Sequence, residues 1–113
     1  MTSQKLVIVM DGDNGVMWIG WIEFDVLLGD VHSLKEKRAV IRPIVAELKR
    51  KYEVAAAETD HLDLHRRAGI GASLIAGDSK HVIDVLDAAE NFVSGRPGIE
   101  LLSARRKLAR SDD

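Results

Sequence analysis

The sequence predicts an α+β domain: one four-stranded antiparallel sheet with two helices on one of its faces. Three observations predict it. An alternating apolar run over residues 18–28 stops at Gly29-Asp30 and is followed at once by a helix start. A second helical pattern follows Gly77 and is closed by Gly95 and Pro97. Two short strand-like segments lie between the helices and one more follows them, so the order is strand, helix, strand, strand, helix, strand.

In the first segment, Trp18, Gly20, Ile22, Phe24, Val26 and Leu28 share one face while Glu23 and Asp25 share the other, the mark of a strand with one buried side. Ser33-Leu34-Lys35-Glu36 then matches a capping box, in which the serine hydroxyl accepts from an orphan amide and the glutamate reaches back. A helix should start at Leu34. At about 100° per residue, Leu34, Val40, Ile41, Ile44, Val45, Leu48 and Tyr52 form one apolar arc, with Pro43 roughly opposite its centre, where a kink is expected.

Residues 52–58 read as an edge strand, with Tyr52, Val54 and Ala56 to one side and Glu53 to the other. A polar stretch from Thr59 to Arg67 leads into the small, apolar run Ala68–Gly77, expected to be a central strand in a long-looped hairpin. Asp78 or Ser79 caps the second helix, whose Val82, Val85, Leu86, Ala89, Phe92 and Val93 recur at three and four. A last strand is expected over Ile99–Ala104, followed by a frayed tail. This is the split βαβ pattern of a ferredoxin-like fold. Its uncovered sheet face would carry Ile19, Trp21, Leu27, Ala55, Ala57, Ile75 and Leu102, apolar enough to need a partner.

With 113 residues and 46% hydrophobic content the chain suits one domain, and without cysteine it has neither disulfides nor thiolate metal sites. Residues 17–108 are expected to form the domain, residues 1–16 an extension with an extra strand or disorder, and residues 109–113 a tail. No stretch suits a membrane span or a secretory signal, so a soluble, cytoplasmic protein is expected.

The net charge of −2 hides an uneven distribution. Residues 33–51 hold Lys35, Lys37, Arg38, Arg42, Lys49, Arg50 and Lys51 against Glu36 and Glu47, and residues 101–110 add Arg105, Arg106, Lys107 and Arg110 without an acid. Lys35, Arg38, Arg42 and Lys49 fall within about 60° of one another on the helix, a stripe suited to successive phosphates. Arg105, Arg106 and Lys107 are candidates to extend it.

Trp21-Ile22-Glu23-Phe24-Asp25-Val26-Leu27-Leu28-Gly29-Asp30, followed by Ser33-Leu34-Lys35-Glu36-Lys37-Arg38, resembles the YlxP-like family of small bacterial proteins, as do Asp63–Ala68 and Leu101-Leu102-Ser103. The resemblance spans about residues 17–108. It implies a ferredoxin-like fold and a gene often placed near those for transcription elongation, translation initiation and ribosome maturation factors.

Other motifs carry less. His61 and His65 have i, i+4 spacing but no third ligand, and a polar loop accounts for them. His32 and His81 read as capping or surface residues. Asp11-Gly12-Asp13-Asn14-Gly15 starts like a calcium loop, yet Ile22 stands where the bidentate glutamate belongs. No nucleophile with base and orienting group stands out, and no metal or cofactor is called for. The expected function is therefore a non-catalytic binding protein associated with RNA or a ribosomal particle through Lys35, Arg38, Arg42, Lys49, Arg105, Arg106 and Lys107. A homodimer is expected through Ile19, Trp21, Leu27, Ile75 and Leu102. The alternative is a protein-interaction module acting through the same apolar sheet face.

Overall fold

The computed structural model describes residues 15–113. The expected extra strand and the aborted calcium loop in the amino-terminal segment lie outside the described residues, apart from Gly15. The elements run β1 (Trp18–Leu28), α1 (Leu34–Tyr52), β2 (Ala55–Asp60), β3 (Arg67–Ala76), α2 (Ser79–Ser94) and β4 (Ile99–Arg110). The sheet order is β2-β3-β1-β4 and every neighbouring pair is antiparallel, so the chain has the βαββαβ arrangement of a ferredoxin-like α+β fold.

Alternation along β1 puts Ile22, Phe24, Val26 and Leu28 under the helices, where they meet Ile70 of β3, Ile41, Ile44 and Leu48 of α1, and Val82, Leu86 and Val93 of α2 in one core. Each helix buries one stripe because its apolar residues recur with the helical period. At Gly20 the side chains of α2 press directly on the backbone of β1. A Cβ there would collide with Val82 Cγ1 and lie 3.1 Å from Leu86 Cδ1. Gly20→Ala is therefore expected to destabilise the fold by about 1–3 kcal/mol, the range for overpacking a core, despite the entropy that alanine removes from the unfolded chain. Urea denaturation at equilibrium measures it.

Both helix starts are closed by side chains. Ser33 is extended at φ −153°, its hydroxyl accepts from the Glu36 amide at 3.1 Å, and Glu36 Oε1 accepts from the His32 amide at 3.0 Å. Asp78 plays the same part for α2 by accepting from the Lys80 amide. Ser33→Ala should cost about 1 kcal/mol in the same assay, the usual value of an N-cap hydroxyl.

Two element boundaries differ from the sequence reading. Tyr52 closes α1 instead of opening β2, because Glu53 takes a left-handed conformation at φ 55° and returns its amide to the Lys49 carbonyl. The strand-like alternation of residues 52–54 is a helix end and its cap. As the sequence reading has it, Pro43 lies inside α1, on its exposed side. Finally, β4 does not stop at Ala104. Past a bulge at Leu102 its register resumes, and it pairs with β1 as far as Trp18↔Arg110. The expected tail is thus a paired strand up to residue 110, held further by Ser111, which exchanges hydrogen bonds with the Met17 backbone.

Candidate nucleic-acid interface

α1 lies over the β2 side of the sheet and α2 over β1 and β4. The outer edge of α1 is set by its first and last fixed points, the Ser33 cap and the Glu53 cap, with Ile41, Ile44 and Leu48 pressed into the core. This leaves Lys35, Arg38, Arg42 and Lys49 exposed on one edge over about 21 Å of helix. Lys35, Arg38 and Arg42 surround a shallow depression floored by Ala39 and Pro43. Arg42 and Lys49 flank a second one lined by Ile41, Val45, Ala46 and Glu58, whose carboxylate pairs with Lys37. Among the described residues, no carboxylate comes within ion-pair distance of these four cations. Pro43, which costs the helix an amide donor, here supplies a low floor between longer side chains.

Lys37 stands apart from the stripe. At about 100° per residue it projects into the middle of the apolar arc, and in the structure its side chain is 2% exposed. Its ammonium lies 2.8 Å from Glu58 Oε2 and donates to the His61 carbonyl at 2.6 Å. The contact with Glu58 is ionic without being a well-directed hydrogen bond, and that oxygen has no other donor. His61, held in this way, is left-handed at φ 56°. Lys37 thus adds nothing to the exposed charge of the helix, and its projection onto the apolar arc is the signal for that burial.

The carboxy-terminal cations do not join the stripe. β4 is the sheet edge farthest from α1, with α2 packed between. Arg106 points to the helix side of β4, donating to Asp87 Oδ1 at 2.8 Å and Glu90 Oε1 at 2.7 Å. Those hydrogen bonds, Glu90's first, hold its guanidinium above the ordinary arginine range. Arg105 and Lys107 lie on the opposite face, in register with Glu23 and Trp21, and Arg105 is 3.5 Å from Glu23. The three candidates to extend the stripe therefore lie apart from it, Arg106 paired with α2 and Arg105 and Lys107 on the open sheet face.

That open face is mixed in character. Ile19, Trp21 and Leu27 are half-buried on it, and Ile75 is 64% exposed. Leu102, at the bulge, is 43% exposed. Between them stands a polar group that the sequence reading did not assemble: Arg67 grips Asp25 through two hydrogen bonds of 3.1 and 2.6 Å, and His61 Nε2 approaches Asp25 at 3.7 Å. A bulge at Thr59 leans β2 over β3, so that a Cβ on Gly69 would sit 2.6 Å from that of Asp60. Neither His61 with His65 nor any other group among the described residues has the arrangement of a metal site.

A curated protein of Bacillus subtilis (strain 168), "Uncharacterized protein YlxP", is 29% identical over 82 residues, covering 73% of this chain and 89% of its own. Among solved structures, "De novo designed protein Foldit4" aligns over 84% of this chain and 96% of its own, at TM-score 0.47 and 11% identity. A family model matches residues 19–106, from the start of β1 to the far part of β4. The chain therefore belongs to the family described as "Protein of unknown function (DUF503)".

Proposed function

We propose that this chain is a non-catalytic binding protein that associates with structured RNA or a ribosomal particle through the outer edge of α1. The observation that carries the reading is the set Lys35, Arg38, Arg42 and Lys49, exposed on one helix edge without an acidic partner among the described residues. Such cations displace counterions from a phosphate backbone, which gives affinity that depends on shape and salt more than on sequence. Arg105, Arg106 and Lys107 are left out of this contact, because they occupy other faces and Arg106 is already neutralised. The gene company implied by the YlxP-like resemblance supports the same reading. Action on RNA would place the protein in the cytoplasm; among the described residues, no helix is long and apolar enough to cross a membrane.

Purification at low salt, with and without nuclease, tests the proposal. Co-purified RNA that nuclease removes, and sedimentation with ribosomal particles, are the expected results. Four phosphate contacts should weaken binding by about 100-fold between ~50 and ~200 mM salt. Binding insensitive to salt and nuclease would count against it.

A further inference from the structure

The uncovered face of the sheet is stepped lengthwise, and the step is self-complementary. On β1 this face presents Trp21, Glu23 and Asp25, and on the adjacent edge strand β4 it presents Arg105 and Lys107. On β3 the residues level with those of β1 are Ser73, Gly71 and Gly69, and on β2 they are Ala55 and Ala57. At the level of Trp21 and Glu23 the β1–β4 half is therefore tall and the β2–β3 half low, divided along the line between β1 and β3; beyond that stretch the low half carries Ile75 at one end and Arg67 and Asp60 at the other. That line is also the centre of the β2-β3-β1-β4 sheet. Trp21 forms one wall of an open trough floored by Gly71, Ala72 and Ser73 and bounded by β2.

The geometry points to a second copy of this chain as the occupant of the trough, related by a two-fold axis that runs parallel to the strands between β1 and β3. This operation lays β1 over the partner's β3 and β4 over its β2, so each tall half meets a low half. Trp21 enters above Ser73 and Gly71 of the other copy. Ile19, level with Ile75 in the sheet, covers that 64% exposed side chain across the axis. Charge agrees with shape at one level: the 76% exposed Arg105 descends toward the end of β2 that carries the 74% exposed Asp60, while Lys107, level with Ala55, lies over the other end of that strand. β1 over β3 overlaps by ten residues and β4 over β2 by six, so at about 4.8 Å by about 3.3 Å per residue the footprint is on the order of 500 Å², at the low end beside the ~800 Å² per partner of an ordinary interface. A flat or randomly studded face would fit no copy of itself in this way. Both α1 helices face outward in this dimer, so RNA association and dimerisation use separate surfaces and stand or fall separately.

Sedimentation equilibrium of the full chain between ~1 and ~100 μM tests the arrangement. The expected mass is twice the 12.5 kDa of one chain. Ala57→Arg fills the low half and opposes the partner's Arg105, and should yield a folded monomer by circular dichroism. Ala57→Glu, facing the same arginine, should keep the dimer. Trp21→Ala should weaken association at least 10-fold. If Ala57→Arg fails to fold, Ser73→Arg blocks the same trough from β3 and should also give a monomer. A wild-type monomer at ~100 μM overturns the inference. So does a dimer indifferent to these arginines, which must use another surface, or one that Ala57→Glu disrupts as much as Ala57→Arg. A monomer whose Trp21 fluorescence, in a Trp18→Phe background, is quenched by a uridine oligonucleotide would give the face to single-stranded nucleic acid and overturn it equally.

Discussion

Lys37→Ala is expected to remove about 3 kcal/mol of folding stability, a large share of the ~5–15 kcal/mol available to a domain of this size. The substitution leaves the Glu58 carboxylate beside α1 without its cation and the His61 carbonyl without its donor. Breaking a buried pair from one side ordinarily costs ~3–5 kcal/mol, and the lower end applies because Glu58 keeps 22% of its side chain in contact with solvent. Urea denaturation of the two proteins measures the difference. The double substitution Lys37→Met with Glu58→Leu should recover most of the loss, since it exchanges two desolvated charges for apolar groups of similar size. A single-mutant loss below ~1 kcal/mol would mean that solvent already screens the pair. Because Lys37 also fixes the left-handed His61, the alanine variant should show faster amide exchange in the loop between β2 and β3.

Reversing charge at Lys35, Arg38 and Arg42 together should abolish nuclease-sensitive association while leaving stability within ~1 kcal/mol. The three side chains are exposed and free of ion pairs with described residues, so nothing in the core depends on them. Each reversal removes a phosphate contact and adds a repulsion, and the combined loss should exceed 100-fold at ~100 mM salt. The slope of log affinity against log salt should also flatten by about three contacts' worth. Reversal of Arg106 is the control. Bound by Asp87 and Glu90, it should affect folding more than binding. If both variants bind RNA like the parent protein, the α1 edge is not the interface.

Most of the architecture could be read from residues 18–50 and 78–98, because there the alternation, the capping box and the spacing of apolar residues all agree. The failures came where two signals overlapped. Residues 52–54 alternate like a strand, but a left-handed Glu53 makes them a helix terminus, and one residue's φ is invisible to a polarity pattern. Residues 105–110 look like a charged tail because both faces of an edge strand can hold cations, one row paired with α2 and the other in the open. The candidate site divided in the same way. Lys35, Arg38, Arg42 and Lys49 are neighbours through helical spacing alone, which sequence gives directly. The relation of Arg105, Arg106 and Lys107 to them depended on which sheet edge each helix covers, and that is settled by packing. Likewise, the contrast between Trp21 and Gly71 is plain in composition, but its meaning emerges only once β1 and β3 are set side by side.

The strand order has a consequence for how the chain acquires its shape. β1 bonds with β3 and β4, which begin at Arg67 and Ile99, so its 11 residues have no ladder partner until well over half of the chain has been made. Among the described elements, the first able to form by local bonds alone during synthesis is α1, and an isolated 19-residue helix of mixed composition is only marginally populated in water. Folding must wait for pairings distant in sequence, which sets this topology between helical bundles and all-β domains in folding speed. Substitutions that disturb the β1–β4 register should thus slow refolding more than equal destabilisations within either helix. The cationic flank of α1 would reach solvent on a nascent chain before the sheet beneath it has closed.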